Sequence, residues 1–166
     1  MFRFFHWLRA SHFNFRRVAL DLEPERWASH LFLAMTCSQI EQHARAIAEA
    51  QQALALAPNL PSVKATLGYA YAASGNKAAA RKLLVELTEL LEQKEKYVAA
   101  YDMAVLYAGL GEKDEAFEWL RKACVEKCSH LILLGAEPIF DSLRSDSRFR
   151  DLLLDIGLPA AVKSTS

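Results

Sequence analysis

The chain has little of what breaks or cross-links a polypeptide: 6 glycines, 5 prolines and 3 cysteines in 166 residues. With so few breakers, set at isolated points, it is not a loop-rich or low-complexity sequence. The cysteines are Cys37, Cys124 and Cys128. An odd count with two members one helical turn apart excludes a disulfide framework, and a reducing, cytoplasmic setting is expected. Net charge is also missing, at 20 basic against 20 acidic residues, so nothing in the balance points to nucleic acid. No apolar run approaches the roughly 20 residues that span a bilayer. The opening Met1-Phe2-Arg3-Phe4-Phe5-His6-Trp7-Leu8-Arg9 is interrupted by charge too often for a secretory core. A glycine-rich phosphate loop is absent as well, because Gly68, Gly75 and Gly111 are each explained by helix packing or a turn. No cofactor is expected.

What is present is helix-forming. Hydrophobic residues make up 52% of the chain, with alanine and leucine abundant. The unit that organises the sequence is Leu67-Gly68-Tyr69-Ala70-Tyr71, then Gly75-Asn76, then Ala80-Arg81-Lys82-Leu83-Leu84. It reads as a helix, a glycine-ended turn and a second helix, with small residues where the two touch. The arrangement recurs around Tyr107, Gly111 and Ala116, and upstream around Leu33, Ala46 and Ala53. Ala19-Leu20-Asp21-Leu22-Glu23-Pro24 is echoed by Ala53-Leu54-Ala55-Leu56-Ala57-Pro58, which places two prolines 34 residues apart. A fixed interval of that size signals stacked repeats.

Helices are expected over Trp27–Ile40, Ala44–Ala57, Pro61–Ser74, Lys77–Glu92 and Glu112–Lys127, with the charged 92–96 linker adding a turn before Tyr97 opens the next unit. The resulting domain is a partial repeat helix (1–24), three repeats (27–60, 61–94 and 97–128), a capping segment (129–159) and a disordered tail (160–166). Leu131-Ile132-Leu133-Leu134 is too apolar to stand exposed, Ile139–Leu143 makes one turn, and Asp146 caps a last helix through Ile156 that Gly157 ends. The first repeat has Glu41-Gln42 where the others have a turn glycine.

These residues resemble the tetratricopeptide repeat pattern, W-x-x-L-G-x-x-Y then A-x-x-x-F, A and P. The middle unit supplies Leu67, Gly68, Tyr71 and Ala80, the third Tyr107, Ala116 and Ala123, and the first Leu33, Ala46, Ala53 and Pro58. The resemblance implies an all-α, right-handed α-solenoid of helical hairpins whose first helices line a concave surface. It implies a non-catalytic scaffold for a protein or peptide ligand. By register the groove residues are Leu31, Met35 and Gln39, then Ala65, Tyr69 and Ala72, then Tyr101, Val105 and Ala108. Such a surface is apolar and aromatic, suited to an extended segment or an amphipathic helix; alternatively, neighbouring helices or the C-terminal cap fill it. A carboxylate clamp of lysine, asparagine and arginine side chains is excluded, since the matching positions are Leu31, Met35, Tyr69, Val98 and Asp102, none of them one of those three types.

The tail, Glu137-Pro138-Ile139-Phe140-Asp141-Ser142-Leu143-Arg144 through Phe149, is similar to the segment closing repeat tracts in some multidomain bacterial regulatory proteins, with Ser147 where proline is usual. Those proteins carry an effector domain ahead of the repeats, whereas this chain starts inside a repeat. A fragment, a shortened paralogue and a stand-alone product all remain open, as does a role as the sensor arm of a signalling protein. The first 20 residues carry Arg3, Arg9, Arg16 and Arg17 and no acid, a net of +4 that leaves −4 for the rest. They read as the second helix of an incomplete repeat, whose open face offers a route to a homodimer, rather than as a membrane or nucleic-acid anchor. Cys124, Cys128 and His130 lack a fourth ligand nearby, so no metal is expected. His6, His12, His30 and His43 stand in no nucleophile pattern, so no catalytic residue is expected.

Overall fold

The structure, a computed structural model, describes residues 26–93 and 97–159. The expected partial repeat helix, the charged end of the linker and the tail lie outside the described residues. Those described form seven α-helices and no strand. They are α1 (Trp27–Gln39), α2 (His43–Leu56), α3 (Pro61–Ala73), α4 (Lys77–Glu92), α5 (Ala100–Leu110), α6 (Lys113–Val125) and α7 (Ser147–Asp155). Two 3-10 helices, Ser129–Leu133 and Pro138–Leu143, lie between α6 and α7.

Local chemistry sets the helix starts. Pro61 occupies the first turn of α3, where its missing N–H costs nothing. The Asn76 side chain accepts from Ala79 N at 3.2 Å and caps α4. Asp146 does the same for α7, accepting from Arg148 N at 3.0 Å. Asp114 and Glu115 complement the dipole at the start of α6. The unit expected from Tyr97 becomes helical only at Ala100. The reason is Glu126, whose carboxylate accepts from the Tyr97 hydroxyl at 3.1 Å and from Ala100 N at 3.4 Å, next to an extended Ala99.

The three hairpins share one turn. Gly75 and Gly111 sit at φ 87° and 82°, and the following amides donate back to Tyr71 O and Tyr107 O at 2.9 and 3.0 Å. Such a left-handed residue after the helix, with its 6→1 bond, satisfies the last carbonyls. The first hairpin closes the same way without glycine: Glu41 takes φ 61° and Gln42 N donates to Cys37 O at 2.9 Å. Lys127 repeats the device at φ 53°, with Cys128 N donating to Ala123 O at 3.0 Å.

Packing follows the small residues. Ala46, Ala50 and Ala53 are fully buried on one face of α2, so that helix lies close to α1 and α3. Helices α3 and α5 approach through two glycines. A Cβ on Gly68 would stand 2.6 Å from Leu106 Cδ1, and one on Gly109 would stand 2.7 Å from Tyr69 Cδ2. Beyond α6 the 3-10 segments turn back onto α5, while α7 packs on α6. Leu131 and Leu134, three residues apart, face inward together, as a 3-10 period requires. Ile132 and Leu133 are 73% and 49% exposed, which corrects the expectation that the whole apolar run is covered.

A left-handed backbone costs an L-residue about 1–2 kcal/mol, part of which glycine returns through its freer unfolded state. Glu41→Gly is therefore expected to stabilise the chain by about 0.5–1 kcal/mol, or roughly 1–4 °C in Tm. Gly75→Ala, with open space around the new methyl, is expected to lower Tm by a similar amount. Thermal denaturation followed by circular dichroism measures both.

Candidate interaction face

The nine residues assigned to the inner face divide by what they touch. Met35 from α1, Tyr69 from α3 and Tyr101, Val105 and Ala108 from α5 join one apolar cluster with Leu131, Leu134, Ile139, Phe140 and Leu143. Gln39 reaches the same region, donating to Glu137 Oε2 at 3.3 Å. The other three pack between helices. Leu31 sits with Ala53 and Val63, and Ala65 and Ala72 with Met103 and Leu106. Six of the nine thus share one face, and Leu31, Ala65 and Ala72 belong to the interior of the stack.

That face is covered over the third hairpin by the segment that follows α6. Tyr101, Val105 and Ala108 are 5%, 6% and 7% exposed. The Tyr101 ring stacks on His130 with centroids 5.4 Å apart and takes the edge of Phe140 at 5.7 Å. Offset and edge-on rings of this kind add about 0.5–1.5 kcal/mol to the burial of their surface. Tyr69 keeps partial exposure, and its ring lies over Gly109. Burial raises the Tyr69 phenol, with the Asp141 and Glu137 carboxylates adding to the effect. Sequence reasoning allowed that the C-terminal cap fills this face but did not single out His130, Ile139, Phe140 and Leu143. Their signal was an apolar stretch too short for its own core, next to Pro138.

Asp102 lies in the first turn of α5 beside this face. Its side chain makes no hydrogen bond or ion pair among the described residues, and burial pushes its carboxyl up to about 6. The remaining candidates for chemistry have structural settings. His30 Nδ1 pairs with Glu49 at 2.8 Å and ties α1 to α2. Cys37 is fully buried, and burial raises its thiol to about 11, which suppresses the thiolate that a nucleophile needs. Cys128 Sγ lies 3.7 Å from His130 Nδ1.

The Asp102 shift has a definite sign. A carboxyl raised in the folded state binds more protons folded than unfolded, so stability falls as pH rises from about 4 to 6 and stays low above. Asp102→Asn is expected to stabilise the chain by about 1–3 kcal/mol at pH 7 and to remove that slope. Urea melts of both proteins at pH 4.5 and 7 check it.

The tetratricopeptide repeat family model matches residues 28–60 and 97–124. The matched stretches correspond to the α1–α2 and α5–α6 hairpins, and α3–α4 between them has the same left-handed turn and close-packed first helix. No curated protein matches the chain. Proteins of this family typically serve as non-catalytic scaffolds for protein–protein interaction. Among the described residues no helix is long and apolar enough to cross a membrane. The chain thus carries two tetratricopeptide repeat hairpins, with a third of the same build between them.

Proposed function

We propose that this chain is a non-catalytic interaction module that seats a short apolar peptide segment on the inner face of α1, α3 and α5. One observation carries the reading. The chain places a segment of its own there, with Phe140 edge-on to Tyr101 and Ile139 and Leu143 buried in the same cluster. The ligand class follows from those contacts: an aromatic residue flanked by aliphatic ones in a tight turn. Burying three such side chains is worth roughly 5–8 kcal/mol before the cost of ordering. What survives suits affinities on the order of micromolar.

Met35 marks the end of the face that lies on α1, where it is only partly buried. A displayed random-peptide library selected on the immobilised chain is expected to enrich peptides with an aromatic residue between aliphatic ones. Met35→Arg is expected to weaken their binding by about tenfold, which corresponds to about 1.4 kcal/mol. Failure to enrich any such class, or binding indifferent to Met35→Arg, contradicts the reading.

A further inference from the structure

The segment that covers the face is built differently from the repeats it covers. Its shape is set from within by Arg144. That guanidinium donates to Gly135 O at 2.6 Å, to Glu137 O at 3.2 Å and to Asp141 Oδ1 at 2.6 Å, closing the Pro138–Leu143 turn on itself. Toward the repeats it presents side chains: Phe140 to Tyr101, Glu137 to Gln39, and the aliphatic residues to the α5 surface. A self-organised turn that offers side chains to a preformed helical face is the anatomy of a bound peptide. It reaches that position from α6 through Lys127, which holds a left-handed φ of 53° at the exit of the helix.

We propose that residues 137–143 are an intramolecular ligand that controls access to the inner face. A partner is admitted when it presents a segment of the same chemistry, a tight turn with an aromatic residue flanked by aliphatic ones and led by an acid. The proposal rests on the interaction reading above and adds the regulation of that site. Tethering gives the internal segment an effective concentration in the millimolar range. A free peptide of micromolar intrinsic affinity then binds with an apparent affinity weakened by the fraction of chains whose face is vacant. Weakening the internal segment alone should restore that affinity without altering the face.

The test uses the full chain and a fluorescein-labelled synthetic peptide of residues 137–144, read by fluorescence anisotropy. Two variants loosen the internal segment: Phe140→Ala removes the contact with Tyr101, and Glu137→Ala removes the hydrogen bond from Gln39. Phe140 is fully buried, so helical circular dichroism confirms that its variant retains the repeats. Glu137→Ala, at a half-buried seam, carries the test if it does not. The expected result is weak binding to the wild type, at least tenfold tighter binding to Phe140→Ala, and a smaller gain for Glu137→Ala. Equal binding by all three proteins overturns the internal control while leaving a working interaction face. No binding by any of them also overturns it, and the library selection then decides the interaction reading separately.

Discussion

The ring of Tyr101 joins the two parts of this molecule. It leaves α5 on the inner face of the stack, stacks on His130 and meets Phe140 edge-on. Around it the last hairpin and the closing segment share a single apolar cluster, in which Phe117, Leu120 and Leu153 continue the core from α6 to α7. That cluster is common to the third hairpin and its cover. Smaller clusters join the first hairpin to the second, and a further one joins the second to the third through Ala65, Ala72, Met103 and Leu106.

The architecture was legible wherever it depends on backbone chemistry. Gly75, Gly111, Pro61 and Asp146 each announced a turn, a start or a cap, because few residue types tolerate those positions. Glu41 and Lys127 hid two more left-handed turns, since the hydrogen bonds there impose φ on residues that do not advertise it. Register assigned nine residues to the face, and six of them meet the closing segment or its cluster. Leu31, Ala65 and Ala72 pack between helices instead, because a helix packed on two neighbours buries more than one stripe, and small or aliphatic residues serve either stripe equally well.

The occupant of the face was beyond periodicity. Residues 129–143 have no helical or strand repeat of their own, so their destination depends on long-range contacts such as Gln39 with Glu137, 98 positions apart. One clue was readable in retrospect. Gly109 had no turn to make, and its place under the Tyr69 ring shows why the close approach of α3 and α5 needs it. Tyr69, the residue least required by the repeat pattern, is accordingly part of the packing as well as of the face.

Native-state hydrogen exchange measures most directly whether the closing segment is a ligand of the stack or a piece of its core. The amides of Leu134 and Phe140, which donate to Leu131 O and Glu137 O, report on the segment, and those within α5 report on the repeats. An internal ligand opens sub-globally, so the segment amides are expected to exchange through an opening of lower free energy and smaller denaturant dependence than the α5 amides. A single free energy and a single denaturant dependence for both sets would show one cooperative unit and contradict internal control of the face.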